Sequence, residues 1–178
     1  MGKPLSAGTE TRNHMSIAMI SLISVIVLVA ADQIIKYWAV GALAEESIIL
    51  IDGVLSFTYH ENYGAAFGLM QNMQILLISA TVIILLGIIV LICLGKIKGN
   101  LLVSSISLIT AGGIGNLIDR LSNGYVIDYI YFELIDFPIF NFADCCVTIG
   151  AGLIILDFIR ELVNDFKKSR KANEEDNL

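Results

Sequence analysis

The sequence is poor in the residues that interrupt long helices and in those that bind metal ions. Its 178 residues include two prolines, two histidines and three cysteines, and the cysteines do not have the spacing of a zinc site. Charged residues make up 16% of the chain, whereas hydrophobic residues make up 56%. This composition excludes an ordinary soluble globular domain and predicts an integral membrane protein. We expect neither a metal ion nor another cofactor.

Four segments are apolar enough, and long enough, to cross a membrane as helices of about 20 residues. They cover approximately residues 17–40, 74–94, 101–121 and 140–162. The second segment has no charged residue, while the other three carry acids and bases, most of them near one end. We therefore predict an all-α membrane protein that forms a single domain with four transmembrane helices.

Lysine and arginine are absent from two of the connections, residues 41–73 and 122–139. They are present before the first span, in the short connection "GKIKGN" and after the fourth span. Because short cytoplasmic loops retain Lys and Arg, both termini are predicted to be cytoplasmic and these two connections to be extracytoplasmic. The last residues, about 167–178, carry charges of both signs and few apolar side chains. This composition predicts a disordered tail. The net charge of -6 gives no indication of a nucleic-acid partner.

The first outer connection is too long for a simple turn and has the pattern of a β-hairpin. β-Branched and aromatic residues at 48–51 and 54–59 flank the turn pair Asp52-Gly53. We predict a small extracytoplasmic β cradle between the first and second helices. In the second outer connection, alternation around Asp128 predicts an extended segment that directs this acid to one face.

Polar residues from distant parts of the chain converge at one depth of the predicted bundle. The first and third spans run outward and the fourth runs inward, so their outer ends meet in one layer. The layer contains Asp32, Lys36, Asn116, Asp119, Arg120, Asn141 and Asp144, with Asn62 and Asp128 on the loops above. Asn116 with Asp119, and Asn141 with Asp144, are three residues apart, so each amide is predicted to share a helical face with its acid. The small residues "AGGIG" in the third span would allow another helix to approach closely.

Part of this layer fits a structural role. Asp32 and Lys36 are four residues apart and can form an ion pair on one helical face. Asp119 and the adjacent Arg120 can likewise belong to a polar cap that locks the helices together. For these four residues a structural role is at least as well supported as a catalytic one.

Asp128 and Asp144 differ because neither has a cation nearby in the sequence. Burial at the edge of hydrocarbon raises the pKa of an unpaired acid. Two such acids close together can share one proton, so that one activates a water molecule while the other polarises a carbonyl group. This pattern favours a hydrolase. A small proton-coupled transporter and a structural membrane subunit are the alternatives, although a transporter needs polar groups along a path across the whole membrane.

Five motifs, in this order and spacing, resemble the lipoprotein signal peptidases, the signal peptidase II family. They are "DQIIK" at 32–36, "NYGAAFG" at 62–68, "GGIGNLIDR" at 112–120, "VID" at 126–128 and "FNFAD" at 140–144. Each motif alone is weak, whereas the ordered set and the four-span topology are together specific.

The resemblance implies an intramembrane aspartyl endopeptidase of the bacterial cytoplasmic (inner) membrane, with its active site near the extracytoplasmic face. It would remove the signal peptide from diacylglyceryl-modified prolipoproteins and cut before the lipidated cysteine. The catalytic pair would be Asp128 and Asp144. The supporting or substrate-binding residues would be Asp32, Lys36, Asn62, Asn116, Asp119, Arg120 and Asn141. The implied partners are the lipid-modified precursors, membrane lipids and, as inhibitors, cyclic peptide antibiotics of the globomycin type, with no nucleic acid and no metal.

Overall fold

A computed structural model describes residues 7–65 and 70–175, and the side chains of residues 18–65 and 70–170. The long elements in these ranges are α1 (Ala7–Ala42), β1 (Ile48–Ile51), β2 (Leu55–Asn62), α2 (Gln74–Cys93), α3 (Asn100–Ser122), β3 (Val126–Phe132) and α4 (Phe142–Glu175). A short 3-10 helix, Glu133–Ile135, follows β3. The motif "NYGAAFG" is described in part, because its residues 66–68 lie outside these ranges.

All four helices contain a stretch long and apolar enough to cross a membrane, as the sequence predicts. In α1 this stretch is Ala18–Ala42, and in α4 it is Phe142–Arg170. The helical part of α4 begins at Phe142 rather than at residue 140. It also continues through residues 167–175, which the sequence predicted to be part of a disordered tail. The final three residues lie outside the described part of the chain.

α2 and α3 show how differently the spans are used. α2 is apolar throughout and has no buried side chain, which suits a helix surrounded by lipid. α3 lies at the centre, where it packs against each of the other three helices. Its buried side chains are small or polar, and they include Ala111, Asn116 and Asp119.

Glycines on α3 let its two neighbours approach closely. A Cβ at Gly112 would collide with the backbone carbonyl of Ala143 on α4, and a Cβ at Gly115 would lie 2.5 Å from a carboxylate oxygen of Asp32 on α1. Contacts this short are essentially never made by real Cβ atoms, so a side chain at either position would displace its neighbour. The prediction that "AGGIG" allows close helix packing is confirmed.

The three strands form one antiparallel sheet in the order β1-β2-β3. The predicted hairpin between α1 and α2 is confirmed, with a second strand that extends to Asn62. β3, predicted as an extended segment, joins the hairpin so that Asp128 lies opposite His60. An isolated bridge between Ile130 and Phe140 then brings the chain back to the start of α4.

The sheet packs on the C-terminal end of α1. Ala39 of this helix and Leu43, directly after it, form a buried apolar cluster with Tyr129 of β3, and Phe57 and Phe142 pack against it. The sheet is thereby held at the end of the bundle where α3 stops and α4 starts. This is where the polar residues of the three helices meet.

Candidate active site

The start of α4 explains why a carboxylate lies one turn inside an apolar segment. Asn141 is the residue before the helix and Asp144 is its third residue. The backbone N–H of Asp144 donates to Asn141 Oδ1 (2.9 Å), and the backbone N–H of Asn141 donates to Asp144 Oδ2 (3.2 Å). This reciprocal cap satisfies two amide groups that a helix start leaves free, and the negative charge suits that end of the helix dipole. Asn141 was predicted to lie inside the helix, but it caps the helix instead, and N-x-x-D before an apolar run is the signature of such a cap.

Asparagine side chains hold the two acids of the predicted catalytic pair. Asn141 Nδ2 donates to Asp128 Oδ1 (2.7 Å), and Asn62 Nδ2 donates to Asp128 Oδ2 (2.9 Å). Asn116 Nδ2 donates to Asp144 Oδ1 (2.8 Å). Each asparagine of the two N-x-x-D motifs therefore donates its side-chain amide to an acid on a different element. Asn116 and Asp119 share a face of α3, as predicted, because both contact Lys36 Nζ, while Asn141 lies just before α4 and contacts both acids.

Burial and charge set the protonation of Asp128. The residue is 1% exposed, and burial, with a further contribution from the negative charge of Asp144, raises the pKa of Asp128 to about 7. Hydrogen bonds from Asn62 and Asn141 favour the charged form but do not outweigh these two effects. Asp128 therefore exchanges a proton in the neutral pH range.

Lys36 lies at the centre of a buried network behind the acids. Its Nζ is 2.9 Å from Asp32 Oδ2 and 2.9 Å from Asp119 Oδ2, and it donates to Asn116 Oδ1 (2.9 Å). The predicted pairing of Asp32 with Lys36 is confirmed. Asp119 also pairs with Lys36, whereas the sequence suggested Arg120 as its partner. Residues adjacent in a helix point about 100° apart, so Arg120 does not face the carboxylate of Asp119.

Asp32 and Asp119 also fix the backbone around the site. Asp32 Oδ1 accepts a hydrogen bond from the N–H of Ala143 (3.0 Å), and Asp119 Oδ2 accepts one from the N–H of Ile127 (3.0 Å). These bonds hold the first turn of α4 and the start of β3, the two segments that carry the catalytic candidates. Gln33 belongs to the same network but was not predicted from sequence: its Nε2 donates to Asp119 Oδ1 (3.0 Å) and to the carbonyl of Gly115 (3.2 Å). Its position beside Asp32, as a second polar residue in an apolar span, could have indicated this role.

The two acids face a cavity of about 860 Å³. Five of the predicted site residues line it: Asn62, Asn116, Arg120, Asp128 and Asp144. The other four, Asp32, Lys36, Asp119 and Asn141, support the wall through the bonds described above. Arg120 is anchored by a bond from its Nη2 to the carbonyl of Gly64 (3.2 Å). The volume suits an extended peptide segment or a molecule of similar size.

Further residues of the cavity wall were not singled out by sequence. They are His60, Gln71, Tyr131, Asp136, Cys145 and Thr148, together with an apolar set that includes Phe137, Phe140, Val147 and Ile149. Their sequence positions are dispersed and their types are common on loops and helices, so no pattern marked them. Within the described residues, no cluster of His, Cys, Asp and Glu has the arrangement of a metal site.

Comparison with known proteins identifies the family. A family model described as "Signal peptidase (SPase) II" matches residues 24–160. The lipoprotein signal peptidase of Brevibacillus brevis is 43% identical over 146 residues, which cover 81% of this chain and 95% of that protein. The lipoprotein signal peptidase of Clostridium tetani is 40% identical over 144 residues, covering 79% and 92% of the two chains.

Solved structures agree with the sequence relatives. A bacterial membrane enzyme determined by the in meso method at 2.3 Å resolution superposes with a TM-score of 0.75 at 33% identity, covering 82% of this chain and 90% of that chain. A second bacterial membrane enzyme, determined by the same method at 1.9 Å resolution, has a TM-score of 0.70 at 34% identity, with 78% and 92% covered. The match to the family model, the curated relatives and the shared fold agree with the five sequence motifs, and the chain belongs to the signal peptidase II family, the lipoprotein signal peptidases.

Proposed function

We propose that this chain is an intramembrane aspartyl endopeptidase that removes the signal peptide from diacylglyceryl-modified prolipoproteins and cuts before the lipidated cysteine. The observation that carries the proposal is the position of Asp128 and Asp144. These acids come from a strand and a helix, line one cavity and are both hydrogen-bonded to Asn141. Family membership supplies the substrate class.

The chemistry follows from a pair of acids that holds one proton. The unprotonated member takes a proton from water, whose oxygen attacks the scissile carbonyl carbon, while the protonated member donates to the carbonyl oxygen. The resulting tetrahedral intermediate collapses as the C–N bond breaks, and the departing amine of the cysteine takes up a proton. The products are a signal peptide with a free carboxylate and a lipidated cysteine with a free amino group. The raised pKa of Asp128, caused by its burial and the charge of Asp144, supports a shared proton near neutral pH.

The supporting residues divide into two roles in this proposal. Asn62, Asn116 and Asn141 orient the carboxylates through the bonds described above, and Arg120 lines the substrate cavity. Asp32, Lys36 and Asp119 hold the helix and strand that carry the acids. No step of the mechanism requires a metal ion or a cofactor.

We place the enzyme in the bacterial cytoplasmic (inner) membrane with both termini in the cytoplasm. The sheet and the active site would then lie at the extracytoplasmic face, because the connections beside them lack Lys and Arg. A signal-peptide helix in the bilayer would present its cleavage site at this depth, and the diacylglyceryl chains would remain in lipid. Cyclic peptide antibiotics of the globomycin type are the inhibitors that we expect to occupy the same cavity.

A proton-coupled transporter fits the described residues less well. Buried polar side chains in the part of α3 that lies away from the site are Ser105 and Ser107. Their hydroxyl groups donate to the carbonyls of Leu101 and Val103 in the same helix. Such hydroxyl groups serve the helix itself and do not form a proton path across the membrane.

The direct test is cleavage of a diacylglyceryl-modified prolipoprotein by the purified protein in detergent or lipid vesicles. We expect two products, and mass spectrometry should show that the lipidated cysteine is the first residue of the mature fragment. An unmodified precursor should be cleaved poorly. No cleavage of the modified precursor by folded protein, or cleavage at another bond, would contradict the proposal.

A further inference from the structure

The cavity has a second polar region, separate from the catalytic acids. Tyr131 near the end of β3 and Asp136 on the loop between β3 and α4 line its wall, and Tyr131 Oη donates to Asp136 Oδ1 over 2.7 Å. Asp136 is exposed and has a left-handed backbone (φ 48°), a conformation that Asp tolerates better than most residues. His60, directly opposite Asp128 in the sheet, lines the same cavity.

The part of the wall that α4 forms after Asp144 carries no charged side chain. Val147 and Ile149 line the cavity from α4, and Ile149 lies about 8 Å further along the helix than Asp144, at 1.5 Å per residue. On the loop side the wall combines the polar groups of Tyr131 and Asp136 with apolar neighbours such as Phe137, whereas on the α4 side it has no charged residue after Asp144. A substrate cut at the acids would extend in both directions from them.

A precursor that combines an apolar signal helix with a polar mature chain matches this difference in one orientation. The signal helix suits the uncharged wall of α4, so the residues after the cleaved bond lie along the loop that carries Asp136. A carboxylate has about four acceptor positions, and the hydroxyl group of Tyr131 occupies one of them. Among the described residues no other side chain donates to this carboxylate, so it can accept a hydrogen bond from the substrate, and its negative charge favours a cationic donor.

We propose that Asp136, held by Tyr131, forms the subsite for the residues that follow the lipidated cysteine and makes the enzyme prefer basic over acidic side chains there. This inference rests on the proposed function, because it assigns one end of the substrate to one end of the cavity. Asp136 is an exposed group, so its effect is on the order of a surface ion pair: roughly a fivefold difference in KM between basic and acidic substrates at low salt.

The test uses three synthetic precursor peptides with diacylglyceryl on the cysteine that differ in the two following residues, Lys-Lys, Ser-Ser or Glu-Glu. We expect the wild type to have the lowest KM for the Lys-Lys peptide and the highest for the Glu-Glu peptide, with similar kcat values. High salt should narrow the difference, because screening weakens an exposed charge contact. Asp136→Asn keeps the backbone conformation accessible and should remove most of the difference.

Glu133→Gln is the matched control. It removes the same charge from the same loop, but Glu133 does not line the cavity, so this variant should keep the full preference of the wild type. Equal KM values for all three peptides in the wild type, or an unchanged preference in Asp136→Asn, would overturn the inference alone. Failure of the wild type to cleave even the Ser-Ser peptide would overturn the proposed function, and this inference with it.

Discussion

Asn141 and Asp144 cap each other at the first turn of α4, each donating its backbone N–H to the other's side chain. The side-chain amide of Asn141 points away from the helix, and its Nδ2 donates to Asp128 Oδ1 over 2.7 Å. One asparagine therefore starts a membrane-spanning helix and connects the two acids of the proposed dyad. Helix capping and catalysis depend on different atoms of this residue, so substitutions can separate them.

Asn141→Ser and Asn141→Ala should be equally poor enzymes but differ in stability. Ser can still accept the hydrogen bond of the cap through its hydroxyl group. The free energy of unfolding of the Ser variant should therefore exceed that of the Ala variant by about 1 kcal/mol, and its unfolding temperature should be higher. Neither variant has an amide to donate to Asp128, and both should lose most of their turnover. Thermal unfolding in detergent and kcat on a lipid-modified precursor measure the two effects. High turnover in the Ser variant would show that the cap alone is the function of Asn141.

Asp32→Asn should lower stability more than it lowers turnover. Asp32 is buried against Lys36 and accepts the N–H of Ala143, and removing one charge of a buried ion pair costs roughly 3 kcal/mol. Lys36 keeps Asp119 as a partner, so the fold should survive at low temperature. We expect a clearly lower unfolding temperature and a kcat per folded molecule close to that of the wild type. Normal stability with no turnover would instead place Asp32 among the catalytic groups.

The sequence predicted which residues form the site better than how they contact one another. The positions of the four spans and of the hairpin follow from local hydrophobic patterns, and the structure has them close to those positions. The polar layer followed from topology, because span directions place Asp32, Asp119 and Asp144 at one depth. The partners of these acids depend on rotation about each helix axis and on sheet register, which local patterns do not determine.

Two particular differences show this limit. Asp119 pairs with Lys36 on another helix instead of Arg120 beside it, since close packing at Gly115 brings α1 and α3 together. Asp136 was assigned no role by sequence, yet it lines the cavity, because an irregular loop with a left-handed residue returns the chain over the site. Packing of distant segments decides both outcomes.

The cysteines beside Asp144 should be dispensable. Cys145 lines the cavity and Cys146 is buried, and both are free thiols. A water-based aspartyl mechanism uses neither of them, and adjacent cysteines rarely bond to each other. The double variant with Cys145→Ser and Cys146→Ala should keep most of its turnover. Loss of activity in a folded double variant would indicate a thiol mechanism and contradict the dyad.

Stability should depend on pH through Asp128. Its pKa in the folded protein is raised to about 7 by burial and by the charge of Asp144, whereas an unfolded chain gives Asp a value close to 4. Between these values the folded state binds a proton that the unfolded state has released. The resulting stabilisation is fully present below about pH 4 and is lost as the pH rises through about 7.

Asp128→Asn has no such proton, so its unfolding temperature should improve relative to the wild type between about pH 5 and about pH 8. The quantity compared is the change of unfolding temperature with pH in each protein. A loss of stability from the altered hydrogen bonds that is the same at every pH does not affect this comparison. Parallel curves for wild type and Asp128→Asn would show that Asp128 is ionised throughout this range.

Asp128→Asn and Asp144→Asn should each give a folded protein that binds the lipid-modified precursor and hardly cleaves it. Asn keeps the shape of Asp but cannot take a proton from water, so each variant should lose at least about a hundredfold in kcat with little change in precursor affinity. In the proposed mechanism the acids act as one unit, so the double variant should be scarcely slower than either single variant. The wild type should show a bell-shaped dependence of kcat/KM on pH, with the alkaline limb near 7, since the pair of the free enzyme must keep one proton. Asp157→Asn removes an acid of α4 that does not line the cavity, so it serves as the control and should cleave normally. Gel mobility separates uncleaved precursor from product, and substantial turnover by either folded single variant would mean that the catalytic carboxylates lie elsewhere.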